Sequence, residues 1–525
     1  MRIASTSLSY LKLLARHSVS GSTWLAMTLL LIGLGVRIAF CFPPHKSHVD
    51  SDAILSGLCA LDVTHGSLPL FDPGGYRISS QACYVNAGMF YFFGPTRSAL
   101  AATSVLYGFI FLVFGWLALR EAAGPRAAIP GLLLLVFPPL QFWLVTYPLL
   151  GYASIMAASA CTMWLGFRLL RPNLTPSLIT SFLFGISVGF SFWTSPQTIM
   201  ISVPIIAMLA CKKCVSWRSG LLLALGALLS LWPYFIVLAR QGVSPFLTSF
   251  ATQPVSGTTQ LASNAAYLFT YNLPVLFFSE VAQQILVLSL VGMRVLLVGF
   301  GLASLTVFAV RRATDADTGR SRILVLLPLG ILLFGCALYV GSGAGCIRGW
   351  TVRYVAPLYL AIPLAASLLY RQVNTRRARA IVLIGAAILA ALQIREYPMF
   401  QSGLRLYQAV ALAGNRATIS WLQKNNRDVA IGNYWTVYFL NFDSLRSVIA
   451  LPINADDDYF QYSRELQTRQ ARTALIDQDA THLESWIKRL GRSGHTEKIT
   501  GNIMGFIVDD PLDAKAVEET RASAR

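Results

Sequence analysis

Two aspartates, Asp50 and Asp52, stand just beyond the first apolar run of the chain, in a stretch otherwise surrounded by sequence poor in acids. A carboxylate so close to a membrane surface is costly unless it is solvated, paired or used, which marks both as candidates for function. The competing reading is a solvated loop with ordinary surface acids. Asp62 and Asp72 follow in the same stretch and read as helix caps or loop acids. Three hundred positions later the Gly-rich turn GSGAGCIRGWTVRY (Gly341–Tyr354) carries Arg348 and Arg353. Bases on a face that the topology otherwise keeps poor in positive charge suit an anionic ligand such as a lipid phosphate. Anchoring at headgroup level competes with that reading.

The elements that must position these residues are membrane helices. Mean hydropathy is +0.57, 55% of the 525 residues are hydrophobic and only 13% are charged, which excludes a water-soluble globular protein. A bilayer crossing takes about 20 apolar residues. The first run, Trp24 to Cys41, follows Arg2, Lys12 and Arg16 as a signal peptide would, but no small-residue cleavage site follows it, and it reads as an uncleaved helix. Further runs lie near Ala99–Leu119, Ala127–Leu144, Leu149–Phe167, Ser177–Trp193, Thr198–Ala210, Gly220–Ala239, Ala282–Val310, Ile323–Tyr339, Tyr354–Tyr370 and Ala380–Ile394. The expectation is a polytopic α-helical membrane protein of about 11 spans.

Alternate connections hold the bases: Arg120 and Arg126; Arg168 and Arg171; Lys212, Lys213 and Arg218; Arg311, Arg312, Arg320 and Arg322; Arg371, Arg376, Arg377 and Arg379. The positive-inside rule then puts the N-terminus in the cytoplasm, and the loop holding Asp52 and the C-terminal tail on the outer face. Residues 397–525 contain 15 Lys/Arg and 15 Asp/Glu, so the net charge of +18 comes from the membrane part. That charge is a topology signal, and nucleic acid is not an expected partner.

The outer loop, residues 42–98, is too long for a simple turn. Ile54, Leu55, Leu58 and Leu61 make an apolar stripe, which predicts an amphipathic helix lying on the membrane surface with Asp52 near its N-terminus, where the helix dipole favours an acid. Turn signals follow at Gly66, Pro69 and DPGGY (Asp72–Tyr76), then a second apolar segment, Tyr84–Phe93. An oxidising compartment would permit a disulfide between Cys59 and Cys83, although their separation in space is not legible. His45, His48 and His65 lack ligand spacing and read as loop residues; Cys211 and Cys214 form a single CxxC without a second pair and read as interfacial. No spacing calls for a metal or other cofactor. The turns TYPLLGY (Thr146–Tyr152) and FWTSPQ (Phe192–Gln197) suit an interfacial aromatic belt or an outward cavity. Residues Arg240 to Ala282 suit a lid or re-entrant piece, and Arg294, inside the eighth span, needs a partner or a watery cavity. From Tyr397 the character changes: Val429–Phe442 alternates, Asp443-Ser444 marks a turn, Tyr459–Thr473 and Thr481–Leu490 read as helices and MGFIVDD as a last strand. Asp456, Asp457 and Asp458 read as a solvated loop or helix start. The chain thus divides into a membrane part, 1–396, and a small α/β unit, 397–525.

The order of features resembles the C-type (GT-C) membrane glycosyltransferases that use polyprenyl-phosphate-linked sugars, among them protein O-mannosyltransferases, lipid A aminoarabinose transferases and bacterial lipopolysaccharide sugar transferases. The resemblance is carried by SDAILSGLCALDVTHGSLPLFDPGGY and AGMFYFFGPTRSAL, with GFSFWTSPQ and RYVAPLYLAIPL (Arg353–Leu364) in support. Asp52 matches the family's catalytic acid. Many members have a second acid directly after it; here that position is Ala53, which leaves Asp50 as a stand-in. The resemblance implies a multi-pass enzyme of a bacterial inner membrane that moves a hexosyl or pentosyl group, with inversion, from a polyprenyl-phosphate donor to a glycan, lipid or protein acceptor. Asp52 would be the general base, Arg353, Arg348 and Arg77 would hold the donor phosphate, and Tyr76, Trp193 and Tyr354 would line the substrate cavity. A polysaccharide polymerase or ligase would share the spans and outer arginines without a special acid after the first helix. A secondary transporter would show two related halves with broken helices.

Overall fold

The computed structural model describes residues 21–42, 51–72, 78–146, 150–171, 177–211, 216–243, 257–277, 319–342, 351–453, 472–501 and 503–510. The chain is a polytopic α-helical membrane protein with a small C-terminal sheet. Among the described residues four helices are long and apolar enough to cross a bilayer: α1 (Gly21–Cys41), α4 (Arg97–Ala123), the composite Val352–Gln372 and the stretch Arg376–Pro398. A fifth candidate is the pair α10 (Trp217–Ser230) and α11 (Trp232–Gln241), bent by 54° at its break. Between α1 and α4 the loop folds into α2 (Ser51–Thr64) and α3 (Gln81–Phe93). The apolar run expected at Ala127–Leu144 is two helices, α5 (Ala128–Val136) and α6 (Leu140–Thr146), because Pro138 and Pro139 interrupt the backbone hydrogen-bond ladder. Then come α7 (Leu150–Leu169), α8 (Leu178–Thr194) and α9 (Ile199–Cys211). The segment expected to be a lid holds α12 (Thr258–Tyr267), a π turn and α13 (Leu273–Phe277). The run Ala282–Val310, with Arg294, lies outside the described residues; α14 (Gly319–Val340) follows.

Within the bundle, close approach replaces hydrophobic drive, since lipid tails are as apolar as the helices. Gly185 on α8 faces α10 so closely that a Cβ there would stand 2.0 Å from the Leu223 carbonyl. Buried hydroxyls pair across helices: Thr162 Oγ1 lies 2.8 Å from both Ser187 Oγ and Ser191 Oγ. The Arg171–Glu121 ion pair and the 2.6 Å bond from Arg371 Nη1 to the Ala122 carbonyl tie one end of the bundle. The composite span begins as a 3-10 helix, Thr351–Leu360, continuing as α15 (Ala361–Gln372), and it carries Arg353 and Tyr354 at its start.

Helix α16 (Arg376–Lys424) is 49 residues long. At 1.5 Å per residue it spans roughly 70 Å, more than twice the hydrocarbon thickness, so it must leave the membrane and continue as a stalk. The composition change at Tyr397 falls inside it. The stalk leads into a five-stranded sheet, order β2-β1-β3-β5-β4, where β1 (Val429–Gly432), β2 (Ile449–Pro452) and β3 (Thr473–Asp477) are parallel and β5 (Ile503–Val508) and β4 (Gly494–Thr500) antiparallel. The three parallel strands are buried throughout, which is what a parallel sheet requires of its side chains. Helices α17 (Tyr434–Asp443) and α18 (Ala480–Leu490) complete the unit. The alternation over Val429–Phe442 is thus strand only as far as Gly432. There a Cβ would meet the Ile476 carbonyl at 2.5 Å, and the Asn433 carbonyl accepts the first bonds of α17 from Thr436 and Val437. Thr473, expected in a helix, opens β3, and residues 454–471, with Asp456, Asp457 and Asp458, lie outside the described residues.

One expectation is corrected here. Helix α2 is amphipathic, but its stripe does not lie on the membrane surface. Ile54, Leu55, Leu58 and Leu61 are buried in one core with Val437, Tyr438 and Phe442 of α17, the strands of the sheet and Leu100 of α4. An apolar stripe specifies burial, not the identity of what covers it, and here the soluble unit does.

Candidate active site

Asp52 sits in the first turn of α2, where the unsatisfied N–H groups and helix dipole favour a carboxylate. Helix α2 is fixed on three sides. The disulfide Cys59–Cys83, with Cα atoms 5.5 Å apart, staples it to α3. Its apolar stripe is held by the C-terminal unit. Asp62, one of the two acids read as caps, is instead ion-paired with Arg446 at 2.5 Å. The other, Asp72, is buried and accepts a 2.7 Å hydrogen bond from Ser56 Oγ of α2, so it braces the same helix from the loop. That loop is itself stitched down: Ser80 Oγ and Tyr84 Oη both donate to the Pro69 carbonyl, and Gln81 Nε2 donates to Thr194 Oγ1. Burial raises the Tyr84 phenol above its ordinary pKa, keeping it a donor.

Across from Asp52 stands Arg353. Its Nη1 donates to Asp52 Oδ2 at 3.2 Å, joining residues 301 positions apart. Its Nη2 donates to Tyr354 Oη at 3.1 Å, and the guanidinium lies over the rings of Tyr354 and Tyr152, 5.1 and 5.9 Å from their centroids. Its Nε is buried and has no hydrogen-bond partner among the described residues. The pair retains contact with solvent, the Asp52 side chain being 35% and that of Arg353 24% exposed. The site therefore offers an accessible carboxylate next to a guanidinium with a donor that no described residue uses, framed by two phenol rings. Such a set can accept a proton from a hydroxyl and bind an anion within the same few ångströms.

Of the residues singled out in the sequence, the fold brings Asp52, Arg353 and Tyr354 together. Trp193 lies in a neighbouring cluster with Phe71 and Tyr234, where its Nε1 donates to the Leu70 carbonyl at 3.0 Å. Asp50, Tyr76, Arg77 and Arg348 lie outside the described residues, as do His45, His48 and Cys214; His65 places Nδ1 2.6 Å from the Leu61 carbonyl. Two residues beside the site carried no individual signal: Tyr152, at the end of TYPLLGY, whose ring lies under the Arg353 guanidinium, and Gln197, at the end of FWTSPQ, whose side chain neighbours the Tyr152 phenol. Their signal was the aromatic and Pro-rich character of those turns. Among the described residues no group of three or more His, Cys, Asp or Glu is placed to hold a metal ion.

No protein-family model matches the sequence, and no curated protein matches it. Solved structures do match. The crystal structure of ArnT from Cupriavidus metallidurans bound to undecaprenyl phosphate superposes with a TM-score of 0.56 at 9% identity, over 93% of this chain and 98% of that one. Its apo form gives 0.57 at 12% identity over the same shares. The fold is that of the GT-C membrane glycosyltransferases. The apo oligosaccharyltransferase of Archaeoglobus fulgidus agrees, with a TM-score of 0.54 at 12% identity over 94% of this chain and 76% of that one. At such identities the likeness reports the path of the backbone, and the chemistry must be argued from the Asp52–Arg353 site itself.

Proposed function

We propose that this GT-C chain transfers a sugar from a polyprenyl-phosphate donor to an acceptor hydroxyl at the outer membrane surface, with inversion at the anomeric carbon. The observation that carries this is the Asp52–Arg353 pair: a base and an anion-binding group side by side at the mouth of a membrane bundle. Asp52 takes the proton of the acceptor hydroxyl as its oxygen attacks the anomeric carbon. The bond from that carbon to the phosphate oxygen breaks, and its electron pair leaves with the polyprenyl phosphate. Arg353 meets the charge that develops on the departing phosphate, using Nε and the Nη groups it now shares with Asp52 and Tyr354. The acceptor is a glycan, lipid or protein, and Asp50, Arg77, Arg348, Tyr76 and Trp193 remain in the proposed site.

The lipid donor explains the architecture: a substrate whose carrier stays in the bilayer needs an enzyme that meets it there. An apolar cavity of about 310 Å³ between α9 and α14, lined by Val203, Pro204, Met208, Leu326 and Phe334, is of the character a prenyl chain requires. The orientation proposed is N-terminus in the cytoplasm, with residues 42–98 and the unit 397–525 outside, in a bacterial inner membrane.

The test is sugar transfer from polyprenyl-phosphate donors by membranes carrying the wild-type chain, Asp52→Asn or Asp50→Asn. A single well-placed base contributes about 10²–10⁴-fold, so Asp52→Asn should lose that much turnover. Loss in Asp50→Asn instead would move the base by two residues. Full activity in both variants would refute base catalysis from this loop.

A further inference from the structure

The contacts that hold α2 come from an unexpected quarter. Its stripe, Ile54, Leu58 and Leu61, enters the core of the C-terminal unit, and Gly57 faces Phe442 so closely that a Cβ would stand 2.9 Å from Cε2 of that ring. Beyond Phe442 the chain makes a tight turn in which Leu445 and Arg446 both adopt positive φ, +48° and +67°. Non-glycine residues pay for that conformation, and two in succession require surroundings that enforce it. The turn delivers Arg446 to α2: its guanidinium pairs with Asp62, and Nη2 donates to the Leu58 carbonyl at 2.8 Å. One residue before the turn, Asp443 takes both Nε, at 2.9 Å, and Nη2 of Arg97 at the start of α4, while that guanidinium covers the Phe439 ring at 4.5 Å. Arg97 sits at a helix N-terminus, where a positive charge is disfavoured by the dipole, so it owes its place to Asp443. Both pairs are largely withdrawn from water, with side-chain exposures of 14% and 12% for Arg97 and Asp443, and 22% and 12% for Arg446 and Asp62.

We propose that the C-terminal unit positions the catalytic base: α17 and the turn after it clamp α2 through Phe442, Asp443 and Arg446, and thereby set where Asp52 stands relative to Arg353. The inference rests on the reading of Asp52 as the base. The two sides of the reacting pair are mounted on different frames, Arg353 on a membrane span and Asp52 on a helix whose buried face belongs to the soluble unit. Their 3.2 Å separation is therefore set by the junction between the frames. Phe442, Asp443 and Arg446 are positioning residues; none is placed to touch substrate.

The test uses the full-length chain in membranes, with Asp62→Asn, Arg446→Lys and Asp443→Asn compared with the double swap Asp62→Arg/Arg446→Asp. Transfer is measured per folded molecule, alongside thermal stability and affinity for undecaprenyl phosphate. A misplaced reacting group costs up to about 100-fold in turnover, so kcat should fall roughly 10- to 100-fold in the single variants. Donor KM and undecaprenyl phosphate affinity, set by the span carrying Arg353, should stay within about twofold. The swap should recover part of the lost kcat. Asp52→Asn runs in parallel. If it is inactive while the single variants keep wild-type kcat, or lose kcat and donor affinity together, the clamp is refuted and the base stands. If Asp52→Asn remains active, the base falls and the clamp with it.

Discussion

Two arginines show how differently one side chain is used at the two depths of this molecule. Arg353, at the start of its span, has a carboxylate partner, partial exposure and a donor that no described residue uses. Arg37, in the last turns of α1, is 3% exposed, and its recorded hydrogen bonds go to carbonyls: Nη1 to Gly33 at 3.1 Å and Nη2 to Leu135 at 3.3 Å. Its guanidinium covers the Trp143 ring at 4.8 Å, and Gly108 leaves the space its stem occupies, since a Cβ there would stand 2.9 Å from Cδ and Nε. Trp143 in turn donates to Tyr397 Oη at 2.6 Å, which bonds the Pro138 carbonyl. The cavity beside Arg37, lined by Ser104, Phe142 and Thr146 among others, is only about 20 Å³, room for a water and not for a phosphate. The difference teaches that a charge in a membrane helix is a strut when its donors are consumed by backbone and rings, and a site when it keeps a donor and an opening.

That comparison can be broken by substitution. The largest effect belongs to Arg353: removing its charge and fork in Arg353→Met should lower kcat/KM for transfer by about 10²–10³-fold, while Arg353→Lys, which keeps a point charge, should recover part. A wild-type kcat/KM in Arg353→Met would place the phosphate elsewhere. Arg37→Leu should act on stability. It strands the buried Leu135 carbonyl, which Pro139 cannot serve, at about 1–3 kcal/mol, visible as a lower unfolding temperature, with transfer per folded molecule unchanged. Loss of transfer at unchanged stability would make Arg37 a site after all. A comparable effect on stability is expected at the staple: Cys59→Ala/Cys83→Ala opens a 24-residue connection and should cost about 3 kcal/mol, read by thermal unfolding with and without reductant. A variant as stable as wild type would show that the C-terminal unit alone suffices to hold α2.

Much of the fold was legible because its cause is local. An apolar window partitions into lipid whatever surrounds it, so α1, α4, α8, α14 and the start of α16 fall close to the runs read from hydropathy, and the shift in composition at Tyr397 marks where the stalk sheds its lipid-facing character. The helix carrying Asp52 was legible from the spacing of its apolar stripe, although what covers that stripe was not. Breaks were less so: Pro138-Pro139 divides one expected span and the bend after Ser230 another, because the apolar signal continues through both. Arg37 escaped notice because one charge hardly lowers a window average. In the candidate site, Asp52 and Arg353 stood out, together with Asp50 and Arg348, as charges where charges are expensive, whereas Tyr152 and Gln197 looked like any interfacial residues.

The sequence by itself determined that the chain is a membrane bundle with a small unit at its end, and it set apart a few costly charges, Asp50 and Asp52, and Arg77, Arg348 and Arg353, without choosing among them. Both follow from free energies of transfer that each segment carries with it. Only the tertiary structure decided that Arg353 meets Asp52 across 301 residues, that Cys59 meets Cys83, and that the stripe of α2 is covered by Phe442 and its neighbours and not by lipid. Apolar surface is satisfied by any apolar partner and a carboxylate by any suitably placed cation. The choice among partners is made by shape and position, by the notch at Gly57 and the turn that aims Arg446, which exist only once the chain has folded.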